Sequence, residues 1–405
     1  MPVGKRERAI LVGMANRATP RTLAEEHLDE LARLADTAGA QVVGRFIKER
    51  ASPDPATFIG KGSVEEVGAA AQREKASLVI FDDELTPAQV RNLEERWNED
   101  VRVLDRPGLI LDVFASHARS REARTQVELA QLQYLLPRLA GRYTHLSRLG
   151  GGIGGRGPGE QKLEVDRRKI RTRIARLRRD LDRIDTARSV QRRGRRRTFQ
   201  VAIAGYTNAG KTTLFNRLTR ESAYVADRLF ATLDARVARL HSRELDGTVV
   251  IDTVGFVRKL PTSLVASFRS TLAEIREADL VLHVLDLSSA RVEEEREVAL
   301  TVLQDLGVVS EKILPVWNKL DLVAGSIPFG GVGISAQTGQ CVGDLEQEIS
   351  RRARRGGRLG HERFGARFQA HPEFSSEARE LEATKTKGGT VKLPPVPELP
   401  RRRSS

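Results

Sequence analysis

The sequence predicts an α/β protein in which two parallel-sheet units flank a long, coiled-coil-like helical hairpin. Three observations predict it. Short β-rich runs alternate with amphipathic segments from Arg8 to about Phe114, and alternate again from Phe199 onward. Strand signals vanish between about Arg119 and Arg193, where leucine and isoleucine recur at spacings of three and four. A glycine-rich loop of the phosphate-binding type stands between a strand and a helix at residues 205–212.

In the first unit the runs "RAILVGM", "QVVGRFI", "SLVIFDD" and "VRVLD" read as strands, with "TLAEEHLDELARLADTAG" and "TPAQVRNLEERWNE" as helices between them. The second helix opens on Thr86-Pro87, an N-cap followed by proline at the first helical position. A small parallel sheet follows from this alternation, assigned to residues 1–115. In the next segment, 116–198, Leu129, Leu132, Leu136 and Leu139 form one seam, and Ile170, Ile174, Leu177, Leu181 and Ile184 form another. No helix crosses "LGGGIGGRGPGE", so the seams belong to two helices joined by a glycine-rich tip.

Composition narrows the functional classes. The 405 residues carry a formal charge of +14, concentrated in two places. Residues 160–197 hold 16 Lys/Arg against 6 Asp/Glu, and residues 351–405 hold 14 against 6. Basic segments on a nearly neutral body point to polyanion contact at chosen places. A solvated spacer helix would carry both signs, so the hairpin charge favours nucleic acid. The single cysteine, Cys341, excludes a disulfide framework and a cysteine zinc site, which suits a reducing, cytoplasmic setting. The N-terminal apolar run is too short for a signal segment or a membrane span. Nothing in the sequence demands more than a monomer.

The third unit, 199–350, carries the chemistry. "GYTNAGKT" runs Gly205, Tyr206, Thr207, Asn208, Ala209, Gly210, Lys211, Thr212 and leads through Thr213 into a helix. Its backbone N–H groups can wrap phosphates, Lys211 adds a point charge, and the Thr212 hydroxyl can ligate Mg²⁺. "DTVG" ends the next apolar strand and supplies Asp252, Thr253, Val254 and Gly255: the aspartate for Mg²⁺, the glycine N–H for the terminal phosphate. Between them lies "FATLDA", with Phe230, Ala231 and Thr232; the threonine is the natural switch residue, able to ligate Mg²⁺ and to feel the γ-phosphate. "NKLD" (Asn318, Lys319, Asp321) follows another strand, and its aspartate can take two hydrogen bonds from guanine, a pair that adenine does not offer. "SAQTG", with Ser335, Ala336 and Gln337, reads as the loop supporting the base. In this order, each at a strand end, these motifs specify a GTP/GDP site on a Ras-like P-loop GTPase domain with a mainly parallel sheet.

Taken together the residues resemble the HflX family of ribosome-associated GTPases, of the Era- and TrmE-like class. Beyond generic GTPase elements, the likeness includes "TFIGKGSVEEV", "DELTPAQVRNLE", "GGIGGRGPGEQKLEVDRR", "DTVGFVRKLP" and the block "DRPGLILDVFASHARSREARTQVELAQLQYLLPRL", and covers about residues 8–350. The resemblance implies a protein that binds the large ribosomal subunit and its rRNA and acts in splitting or rescuing ribosomes under stress. It departs at Gln161-Lys162, where the family reads Thr-Gln, and at Lys259, where an acidic residue is usual; nothing is carried over to the extension 351–405. Residues 1–115 contain no phosphate loop, against ATP use there.

The position after Gly255 is Phe256, where well-studied GTPases have the glutamine that orients the attacking water. We expect Phe256 to pack away from the phosphates, leaving the catalytic set as Lys211, Thr232, Gly255 and Asn208. Two readings of Asn208 stand: its place in the loop resembles that in the potassium-using GTPases, which implies that it helps hold a K⁺ bridging the phosphates, or it only tolerates a left-handed backbone. Two functional readings stand as well: a slow GTPase completed by the ribosome, or a nucleotide-gated rRNA-binding biogenesis factor in which hydrolysis is incidental.

Overall fold

The computed structural model of the chain describes residues 6–97, 101–142, 158–194, 198–222, 229, 230, 232–242, 245, 247–259, 269–323, 327, 328 and 330–355. The chain divides into one unit, Met1–Leu359, and a second, Gly360–Ser405, which lies outside those residues.

Strands β1 (Glu7–Ala15), β2 (Ala40–Glu49), β3 (Leu78–Phe81) and β4 (Arg102–Asp105) form a parallel sheet in the order β2-β1-β3-β4. The central strand is a continuous apolar run because both of its faces are covered. On one face Leu28, Leu31 and Leu34 of α1 (Arg21–Thr37) and Leu109, Ile110 and Val113 of α4 (Arg106–His117) pack on Leu11 and Ile80. On the other, α2 (Lys61–Arg73) and α3 (Pro87–Arg96) bring Val64, Val67 and Leu93 against Ile10, Val12 and Phe81. Thr86 caps α3 as the sequence predicts: its hydroxyl accepts from the Gln89 N–H at 3.2 Å, and its own N–H donates to the Gln89 side chain at 2.9 Å.

Helices α5 (Arg121–Arg142) and α6 (Pro158–Gly194) form the hairpin. Leu129, Ile174 and Leu177 are buried between them, with Leu132, Leu136, Ile170 and Leu181 packed alongside, which is the predicted seam except for Leu139 and Ile184. Arg173 grips Glu128 with two bonds of 2.7 Å. Most of the glycine-rich tip lies outside the described residues.

The second sheet has the order β10-β9-β8-β5-β7-β6, formed by β5 (Gln200–Gly205), β6 (Arg236–Arg239), β7 (Val249–Asp252), β8 (Leu280–Asp286), β9 (Ile313–Asn318) and β10 (Val332–Gly333). All pairings are parallel except β6 with β7. The sequence reading omits β6, "RVAR", because its two arginines interrupt the apolar signal; as an edge strand it leaves Val237 and Arg239 exposed and Arg236 and Ala238 half-buried. Helices α7 (Lys211–Thr219) and α10 (Val342–Arg355) cover one face, α8 (Arg269–Glu277) and α9 (Val292–Asp305) the other. Helix α10 continues five residues beyond the expected end of this unit at 350, since Ala353 is fully buried against the sheet.

The two sheet units share a core. One apolar cluster runs from Leu28, Ile110 and Phe114 through Phe230, Phe256 and Val257 to Leu272 and Ile275. That continuity brings the first unit against the loops of the second.

Candidate functional site

The phosphate loop follows from where its glycines sit. Gly205 has φ +147°, and a Cβ there would lie 2.2 Å from the Val284 carbonyl oxygen; Gly210 has φ +91°, and its Cβ would lie 2.2 Å from Asn318 Nδ2. Only glycine permits this turn between β5 and α7. Asn208 adopts φ +62° within it. Lys211 is buried, and its Nζ donates to the Tyr206 carbonyl at 2.6 Å. Burial lowers its pKa to about 8, against the opposing pull of Asp252. Thr213 is half-buried in the first turn of α7.

Three residues expected to hold Mg²⁺ converge. Thr212 Oγ1 donates to Asp252 Oδ2 at 2.9 Å and lies 2.8 Å from Thr232 Oγ1. Burial raises the Asp252 carboxyl, while Lys211 and the hydroxyls of Thr212 and Thr232 pull it back. Its Oδ1 is buried with no hydrogen-bond partner among the described residues. A carboxylate oxygen left over beside two hydroxyls is the hard oxygen set that Mg²⁺ takes, so these residues fit the ion. The Thr207 hydroxyl is buried without a partner in the same sense.

The loop after β7 is fastened to the phosphate loop. Thr253 Oγ1 donates to the Ile203 carbonyl at 2.6 Å, and Val254 joins the shared core. A Cβ on Gly255 would lie 2.8 Å from Lys211 Nζ and from Thr207 Cγ2, so the glycine backbone approaches the phosphate loop as no other residue could. Phe256 N–H donates to Gly205 O at 3.0 Å, and Thr207 N–H to Phe256 O at 2.8 Å. The Phe256 ring is 1% exposed and lies in the shared core, turned away from the loop that wraps phosphates.

At the far end of the site Asn318 spans two loops: Nδ2 donates to Ala209 O at 2.8 Å, and Oδ1 accepts from Ala336 N–H at 2.9 Å. Lys319, at φ +65°, reaches Asp286 with its ammonium, and Asp321 is exposed in a short 3₁₀ turn. Ser335 is fully buried and accepts from Thr338 N–H at 3.1 Å, while Gln337 is exposed and its carbonyl, like that of Ala336, accepts from Arg217. Phe230 is buried away from the others, against Phe114; Ala231 lies outside the described residues.

Sequence reasoning alone did not mark how much of this site the first unit holds. The Tyr206 side chain points out of the phosphate loop and donates to Glu30 of α1, while its hydroxyl accepts from Arg258 N–H at 2.9 Å. Arg106, 1% exposed, binds Asp82 at 2.8 Å and donates to the Arg258 carbonyl at 3.0 Å. Lys259 pairs with Asp82 and Asp83, in the crevice past the carboxyl ends of β1 and β3 where the strand order reverses. Burial would raise the Asp82 carboxyl, but Arg106 and Lys259 hold it below the usual range. The one signal in the sequence is that charged residues close otherwise apolar strands at "SLVIFDD" and "VRVLDR".

Comparison with known proteins bears on the family. Family models match a GTP-binding GTPase N-terminal region at residues 25–115, a GTP-binding GTPase middle region at 117–195 and a 50S ribosome-binding GTPase domain at 200–319. Curated relatives named GTPase HflX include those of Caldanaerobacter subterraneus (49% identity; 78% of this chain, 73% of the relative) and Flavobacterium psychrophilum (46%; 78% and 76%). The Escherichia coli relative is 44% identical, over 81% of this chain and 79% of its own. Among solved structures, a GTP-binding protein of Sulfolobus solfataricus in complex with GDP aligns over 86% of this chain and 99% of its own, at 25% identity and a TM-score of 0.45. With family matches from residue 25 to residue 319 and curated relatives 44–49% identical over most of the chain, the protein belongs to the HflX family of GTPases and is a GTP-hydrolysing enzyme.

Proposed function

We propose that this GTPase is a nucleotide switch that docks on the large ribosomal subunit through its basic hairpin, hydrolyses GTP slowly alone, and is completed by that subunit. Its work in the cell is the splitting or rescue of stalled ribosomes under stress. Four segments divide the labour: the α/β unit 1–115, the hairpin 116–198, the GTPase domain 199–350 and the basic extension 351–405. The observation that carries the reading is the pairing of an assembled Thr212–Thr232–Asp252 set with a Phe256 ring buried in the core.

Phosphoryl transfer to water is mostly positioning and charge stabilisation. Lys211 and the loop amides hold the phosphates, Gly255 N–H meets the terminal one, and Asp321 reads guanine. Thr212, Thr232 and Asp252 would hold Mg²⁺, which when bound offsets charge on the β- and γ-phosphate oxygens. Phe256 has no group that orients water, so that step falls to the docked subunit. The left-handed Asn208 leaves K⁺ as a second source of charge stabilisation; equal turnover on subunits in KCl and in NaCl at one ionic strength would remove it.

The hairpin supplies the docking surface: Arg168, Lys169, Arg176, Arg178, Arg179 and Arg183 of α6 are exposed. The 50S ribosome-binding description of the matched domain family supports the same partner. Cosedimentation with large subunits tests this. Binding should require a non-hydrolysable GTP analogue and weaken steeply with salt, as phosphate contacts do. Binding indifferent to nucleotide would overturn the switch reading.

A further inference from the structure

The loop that carries Thr232 is pinned on both sides. Two residues before it, the Phe230 ring stacks edge-on against Phe114 of α4, with centroids 4.6 Å apart at 85°, and Phe230 holds φ +58° to do so. Two residues after it, Asp234 reaches the start of the hairpin. Its Oδ2 accepts the N–H groups of Ser120 at 3.1 Å and Arg119 at 3.3 Å, and its Oδ1 accepts the Ser120 hydroxyl. That hydroxyl in turn accepts from Ala123 N–H at 3.0 Å, so Ser120 is the N-cap of α5 and Asp234 sits on it. A carboxylate there also meets the positive end of the helix dipole.

We infer that Asp234 is a positioning residue for the GTP-bound state: clamped to the N-cap of the first hairpin helix, it holds Thr232 beside Thr212 and Asp252. The hairpin base thereby acts as a scaffold for the switch loop. Thr232 Oγ1 stands 2.8 Å from Thr212 Oγ1, and the backbone leading to it has anchors at residues 230 and 234. Among the described residues neither anchor hydrogen-bonds to the phosphate loop, so each acts through Thr232. A loop held in this way has already lost the freedom that ligating Mg²⁺ and sensing a γ-phosphate would otherwise remove. GDP lacks that phosphate and does not call on Thr232. The inference rests on the reading of Thr232 as the switch threonine, and the experiment separates the two.

The test is equilibrium binding of a fluorescent non-hydrolysable GTP analogue and of fluorescent GDP to the full chain, with Mg²⁺ and with the metal chelated. Variants are Asp234→Ala, Asp234→Asn, Ser120→Ala and Thr232→Ala. Removing the carboxylate should weaken the analogue roughly tenfold in Mg²⁺, the scale of a lost charge-assisted contact, and leave GDP binding within about twofold. With the metal chelated, Asp234→Ala and the unaltered chain should bind the analogue alike. Asn keeps an oxygen for the two N–H groups and should recover most of the loss. Ser120→Ala, outside the nucleotide loops, should shift the analogue in the same direction by less. Equal weakening of analogue and GDP by Asp234→Ala would mean a merely structural role and overturn the inference. If Thr232→Ala weakens the analogue but Asp234→Ala does not, the inference alone falls. If Thr232→Ala changes nothing, the reading of Thr232 falls and the inference with it.

Discussion

Phe256 settles the local question of how the loop after β7 behaves. Its backbone extends the β5 edge through Gly205 and Thr207, and that register sends the ring into the core shared by the two sheet units. Glutamine at this position would follow the same backbone and bury its amide rather than face the phosphates. We predict that Phe256→Gln gives no gain in single-turnover hydrolysis and destabilises the protein by about 3–5 kcal/mol through lost burial and an unpaired amide, measured by denaturant unfolding. A faster variant would contradict the packing argument. His283 makes a second case. It is fully buried mid-strand in β8, and neither ring nitrogen has a partner among the described residues. Burial, with Arg296 and Lys211 nearby, lowers its pKa from 6.5 to about 4. The unfolded chain therefore binds the proton first, and this group costs stability increasingly as pH falls from about 6.5 to about 4, by roughly 3 kcal/mol in all. His283→Leu should flatten the stability curve across that window; an unchanged slope would assign acid sensitivity elsewhere.

At the scale of elements, the polar core between the first sheet and the loop after β7 is the feature with most at stake. Arg106 stands between Asp82 and Glu30, all three nearly buried, with Tyr206, Arg258 and Lys259 completing the network. Arg106→Met keeps the bulk of the side chain but leaves two carboxylates short of a cation, a loss of about 3–5 kcal/mol for a broken buried pair, to be read from unfolding of the full chain. Because the folded Asp82 carboxyl lies below its usual range, its share of this stability is complete at neutral pH and disappears only as pH falls through that lower value. This network explains what the sequence could and could not convey. The phosphate loop, "DTVG" and "NKLD" were legible because each is a local backbone device at a strand end, and the hairpin seam because periodicity is local too. Asp82 and Lys259 are 177 residues apart, and each read by itself is an ordinary surface charge. Only the docking of the units makes them partners. The short edge strand β6 escaped for a related reason: two of its four residues are arginines and none is fully buried, so no apolar run marks it.

At the scale of the whole molecule, the first unit and the hairpin base hold the three segments proposed to meet the phosphates: the phosphate loop through Tyr206, the loop after β7 through Arg258 and Lys259, the loop of Thr232 through Phe230 and Asp234. The same hairpin carries the exposed arginines proposed to face rRNA. A partner that engages the hairpin thus has a physical route to the switch loop, through helix α5 and its N-cap. No described helix is long and apolar enough to cross a membrane. The central claim is that the site holds GTP with its phosphate-binding and metal-binding groups assembled but lacks its own means of orienting water. The measurement that meets it most directly is GTP turnover by the purified chain, alone and with saturating large ribosomal subunits, under otherwise equal conditions. We predict slow turnover alone and an increase of at least tenfold with subunits, about 1.4 kcal/mol of barrier; equal rates in the two arms would contradict the account.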